Sequence, residues 1–119
     1  MKVNMERQSV SMRDDKRAPN KMQIEILENC RLKDFIQILS RSYCPNLTEK
    51  RCVWVLWDRH KAVAVFDSKT KKYKGFYDEN MLLKDIIIRD DDVEMFLYYK
   101  RAADIEYVLE ELIEELLIG

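Results

Sequence analysis

Residues 62–88, AVAVFDSKTKKYKGFYDENMLLKDIII, constrain this chain more than any other stretch. They set in succession an apolar run, a lysine-rich turn, a second strand-like run and an amphipathic segment. Residues 62–67 and 72–77 carry β-branched and aromatic side chains, and residues 68–71 between them are turn chemistry, so the pair predicts a β-hairpin. Asp78 or Asn80 is placed to cap a short helix running through Ile88. A hairpin followed by such a helix calls for a sheet and a helical layer sharing one core, and 119 residues are enough to build that core without staples.

The flanking segments extend this layout. Residues 22–27 alternate, with Met22, Ile24 and Ile26 on one face, as a half-buried strand does. Leu32, Phe35, Ile36, Leu39 and Tyr43 then recur at helical spacing, with Asn29 as a possible cap, and that helix is expected to end before Pro45, which biases Cys44 away from helical geometry. Residues 52–57, CVWVLW, have strand composition, although Thr48 could also cap a helix in which Cys52, Val53, Leu56, Trp57 and His60 share a stripe. Beyond Asp90, Asp91 and Asp92, whose carboxylates suit the start of a helix, a long amphipathic helix is expected. It would turn Ile105, Val108, Leu109, Leu112 and Leu116 inward and Glu106, Glu110 and Glu114 outward. The expected fold is α+β and two-layer, a small antiparallel sheet in the order β-α-β-β-β-α-α with amphipathic helices packed on it. Residues 1–21, polar and without apolar period, are expected to form a disordered N-terminal arm, leaving residues 22–119 as a single domain.

Charge divides the chain. Residues 1–21 hold six Lys/Arg against three Asp/Glu, residues 22–77 eleven against six, and residues 78–119 four against thirteen, within a net charge of -1. Such polarity serves either internal pairing or a partner. Three cysteines without CxxC spacing and a single histidine do not make a zinc site or a disulfide framework, and they fit an intracellular protein of cytoplasm or nucleus. No apolar run approaches the roughly 20 residues that span a bilayer, so no membrane is expected as a partner.

Residues 51–76, RCVWVLWDRHKAVAVFDSKTKKYKGF, resemble the helix-strand-turn-strand portion of a CBS motif of the type found in the gamma subunit of AMP-activated protein kinase. The likeness lies in an apolar helix leading to a strand that ends on Val65, Phe66 and Asp67, then a Ser68-Lys69 turn and a strand reaching Gly75. Residues 32–43, LKDFIQILSRSY, are similar to the helix that follows in that family. The resemblance implies a regulatory unit whose paired motifs form a cleft for adenine nucleotides. Met81 falls where the family places an aspartate on the ribose, so the motif would be a degenerate one.

Candidate surfaces follow from residue type. Lys69, Lys71, Lys72 and Lys74, with Arg59 and Lys61 at the neighbouring turn and Tyr73 interleaved, combine cations with an aromatic face, the pairing that a nucleic-acid platform uses. Lysines at hairpin turns and edges also simply block edge-to-edge association. Leu109, Ile113, Leu116 and Leu117 widen the apolar stripe of the last helix and offer a homodimer surface. Glu110, Glu111, Glu114 and Glu115 stack carboxylates on successive turns, but without histidines from facing helices they make a solvated face rather than a metal site. Cys52 and His60 face each other across a turn, an arrangement more in keeping with a core cysteine than with a nucleophile and its base. No reactive triad, phosphate loop or cofactor motif is present. The expectation is a non-enzymatic regulatory or adaptor domain acting on another protein, with no cofactor. The alternatives are a CBS-like nucleotide sensor and a nucleic-acid-binding module built on residues 59–74.

Overall fold

A computed structural model describes residues 1–8, 20–45, 51–59, 61–87, 93–101 and 104–118. Among the described residues the fold is α+β, one six-stranded mixed sheet carrying three helices. In chain order the elements are β1 (Lys2–Arg7), β2 (Lys21–Glu25), α1 (Leu32–Ser42), β3 (Cys52–Asp58), β4 (Lys61–Asp67), β5 (Tyr73–Gly75), α2 (Leu83–Ile86), β6 (Val93–Arg101) and α3 (Ile105–Ile118). Strand order across the sheet is β2-β1-β6-β3-β4-β5.

The order therefore reads β-β-α-β-β-β-α-β-α, which corrects the expected one at both ends of the chain. Residues 2–7, expected in an arm, form β1 inside the sheet, parallel to β6 with Val3 opposite Val93 and Met5 opposite Met95. Residues 9–19 of the expected arm lie outside the described residues. Residues 93–101, expected in a helix, form β6, which pairs antiparallel with β3 on its other side. Backbone hydrogen bonding decides both cases, because each strand has a neighbour on each side to satisfy its N–H and C=O groups.

Residues 52–58 are a strand, where the CBS-type layout puts a helix. Composition explains this: Cys52, Val53, Trp54, Val55 and Leu56 are all buried, and a strand buried on both faces reads as a continuous apolar run. The β3–β4 hairpin carries a bulge between Leu56 and Trp57. The β4–β5 hairpin turns on Asp67, whose buried carboxylate accepts from the backbone N–H of Lys69 (2.9 Å), Thr70 (3.3 Å) and Cys52 (3.3 Å). The turn closes through Lys71 at φ 64°.

One face of the sheet carries α1 and α2. Leu32, Phe35, Ile36 and Leu39 of α1 are buried against Val3, Met5, Trp54, Leu56, Phe66 and Leu97, so the helical spacing read from the sequence is the packing stripe. Arg31, not Asn29, is the N-cap residue, and its backbone N–H donates to the Asp34 carboxylate (3.3 Å). The N–H groups of Leu32 and Lys33 donate to the carbonyls of Met81 and Glu79, each at 2.9 Å. Those carbonyls are thereby drawn into the first turn of α1, and the helix expected from Asp78 is reduced to α2. The other face carries α3, whose Val108 and Leu112 are buried on Val53, Val55, Ala62 and Val65. No described helix is long and apolar enough to cross a membrane.

Candidate binding face

Because side chains alternate along a strand, α3 covers only the β3–β4–β5 half of its face of the sheet. On the β2–β1–β6 half of that face, Asn4 and Glu6 of β1, Lys21 and Gln23 of β2, and Glu94, Phe96 and Tyr98 of β6 share one side. The register aligns them: Asn4 stands opposite both Gln23 and Glu94, and Glu6 opposite both Lys21 and Phe96. Asn4, Glu6, Lys21, Gln23, Glu94 and Phe96, joined by Arg59, line a depression of about 520 Å³.

Its polar groups are held in place. Gln23 Nε2 donates to Asn4 Oδ1 at 3.1 Å, and the Arg59 guanidinium meets the Glu94 carboxylate at 3.2 Å. Arg59 occupies the β3–β4 turn with φ 40°, a left-handed conformation uncommon for a residue other than glycine. The Phe96 ring belongs to the lining, and further rings continue beyond it. Phe96 and Tyr98 lie 4.4 Å apart between centroids, and Trp57 of β3 meets Tyr98 edge-on at 6.1 Å. Tyr98 is 40% exposed on this surface. Among the described residues, the lining contains no hydroxyl, thiol or imidazole, and no group of three or more His, Cys, Asp or Glu is placed to hold a metal.

The residues expected to form one basic platform are distributed instead. Arg59 and Lys61 stand at one end of β4 and Lys69, Lys71 and Lys72 at the other, roughly 20 Å apart for a strand of this length. Lys61 Nζ donates to the Ile86 carbonyl (2.7 Å) and sits 5.1 Å from the Tyr77 ring centroid, tying β4 to α2. Lys74 pairs with Glu106 of α3 at 3.1 Å. Tyr73 turns inward and donates to the Tyr77 carbonyl at 2.6 Å; burial, then Glu79 and Asp78, push its hydroxyl up to about 12. Lys69, Lys71 and Lys72 are exposed at the β4–β5 turn.

The last helix also uses its stripe on its own sheet. Leu109 is partly buried beside Val108 and Leu112, and Ile113 is 40% exposed. The side chains of Leu116 and Leu117, and the whole of His60, lie outside the described residues. Burial pushes the Cys44 thiol up; burial and then the Asp34 carboxylate do the same to Cys30. Phe96, Tyr98, Asn4 and Gln23 were not singled out from the sequence. The available signal was the alternation Val93, Met95, Leu97, Tyr99, which sends Glu94, Phe96 and Tyr98 to the opposite face. No protein-family model, no curated protein and no solved structure matches this chain.

Proposed function

We propose that this protein is a non-enzymatic adaptor or regulatory module that binds another protein through the β2–β1–β6 half of the sheet. One observation carries the reading: the rings of Phe96 and Tyr98 lie together on strand surface that α3 leaves uncovered, bordered by Trp57 at the margin of the α3 core and by a polar depression edged by Arg59, Glu94 and Lys21. Aromatic side chains give large rigid contact area at low entropic cost, and with arginine they dominate the energetics of protein interfaces. A mixed-charge rim with its donors and acceptors fixed supplies orientation rather than reaction chemistry.

The test places a photo-crosslinking amino acid at Tyr98 and, separately, at Gln37 on the exposed side of α1, in cells that make the protein. Discrete adducts are expected from position 98 and not from 37, and Phe96→Ser in the same chain should reduce them at least tenfold. Equal adduct patterns from the two positions, or none from 98, would remove the reading.

A further inference from the structure

The two edges of the sheet are built differently. β5 spans only Tyr73–Gly75, carries Lys74 and is preceded by Lys71 and Lys72, the short, lysine-bearing form that resists pairing with another chain. β2, KMQIE, has no proline, and no irregularity interrupts its register with β1. Its outward backbone groups can be assigned. The N-terminal amine and carbonyl of Met1 exchange bonds with Ile26 (2.7 and 2.8 Å), and Arg7 N–H donates to the Asn20 carbonyl (2.9 Å). Hydrogen-bonded pairs recur every second residue, so Ile24 and Met22 face β1, and the N–H and C=O groups of Lys21, Gln23 and Glu25 point away from the sheet. Among the described residues no strand lies beyond β2.

We propose that this edge pairs with the same edge of a second copy of the chain, β2 against β2 antiparallel, with Gln23 on the twofold axis. Three features of the strand are self-complementary in that register. Gln23 meets the partner's Gln23, and Lys21 meets the partner's Glu25, all through the outward-pointing backbone groups, each pair exchanging both N–H···O bonds. Lys21 and Glu25 share the face of the candidate depression, so each copy sets a cation opposite an anion at both ends of the ladder. On the other face Met22, 38% exposed, lies beside the partner's partly buried Ile24 in the close, non-hydrogen-bonded position. A one-residue slip would lose all three matches together. The result is an isologous dimer with one sheet running through both copies. It does not depend on the protein-binding role proposed above.

The test is sedimentation equilibrium on the full chain, with charge variants and their mixture. The wild type is expected at twice 14.4 kDa in the micromolar range. Lys21→Glu and Glu25→Lys are each expected at the single-chain mass, because each sets like charges opposite one another across the axis. Their equimolar mixture is expected to regain the doubled mass, since one chain then carries carboxylates at both positions and the other carries ammonium groups at both. Gln23→Pro removes an outward N–H that no described strand of the same chain uses, so the variant should keep the wild-type circular dichroism while losing the dimer. A wild type at the single-chain mass up to about 0.2 mM, a mixture of the charge variants that stays monomeric, or a dimer indifferent to Gln23→Pro would each overturn the proposal.

Discussion

Buried polar side chains in this molecule close turns and joints. The Asp67 carboxylate accepts from the Cys52 N–H and caps the turn at Lys69 and Thr70. Tyr73 secures the residues that follow β5 through its bond to Tyr77. Gly75 is needed beside it, since a Cβ there would stand 2.5 Å from Tyr73 Oη and 2.9 Å from the Val63 carbonyl oxygen. The Tyr73 hydroxyl gives a pH prediction of definite sign. Free tyrosine ionises near 10, whereas burial, with Glu79 and Asp78 adding to it, holds Tyr73 protonated up to about 12 in the folded chain. The stabilisation is thus complete below pH 10 and is lost as pH rises towards 12, where the unfolded chain releases its proton first. Urea-denaturation midpoints should fall across that window, and Tyr73→Phe should fall less steeply than wild type; parallel slopes would show that the hydroxyl plays no part. Residue identity made the lysine-rich turn legible, but not which lysines stay free. Lys61 and Lys74 are claimed by Ile86 and Glu106, both remote in sequence.

Elements with one dominant period could be read in advance, and those whose period was overwritten could not. The stripe Leu32, Phe35, Ile36, Leu39 has a polar opposite side, and α1 follows it. The runs 62–67 and 72–77 have too much apolar content to be loops, and the β4–β5 hairpin follows them, while residues 52–57, open between strand and helix, form β3. β6 defeats the same reasoning because both of its faces are apolar: Val93, Met95 and Leu97 go to the α1 side, and Phe96 and Tyr98 to the other. In β1 the alternation Val3, Met5 ends on a buried arginine, Arg7, whose guanidinium lies 5.8 Å from the Tyr43 ring centroid, a contact that only the fold creates. The stripe of α3 was legible, but its destination was not. Docked on β3 and β4, Leu112 should cost about 2–5 kcal/mol on truncation to alanine, while Ile113→Ala should stay within about 0.5 kcal/mol. Chemical denaturation at two protein concentrations checks this. Equal costs, or a cost for Leu112 that vanishes on dilution, would mean that the stripe belongs to an interface rather than to this sheet.

Across the whole molecule, the charge gradient is used in part within the chain. Arg51 with Asp104 (3.4 Å), Arg59 with Glu94 (3.2 Å) and Lys74 with Glu106 (3.1 Å) each join the basic middle of the sequence to its acidic last third. These pairs are exposed and individually contribute little to stability, so their main effect is to orient the ends of β6 and α3. The topology does more. Placing β1 between β2 and β6 brings residues 4, 6, 21, 23, 94, 96 and 98 onto one surface although they come from three distant parts of the sequence. A reading that left β1 in an arm and β6 in a helix had no means of assembling that surface. The candidate face and the exposed β2 edge both follow from this one placement.

Amide hydrogen exchange resolved by residue tests that placement directly on the isolated chain. With β1 inside the sheet, bonded to β2 through Val3 and Met5 and to β6 through the residues between them, the amides of residues 3–7 should exchange as slowly as those of β6 and β3. Exchange of residues 3–7 at the rate of an unfolded peptide, with β6 still protected, would contradict the account and take the candidate face with it.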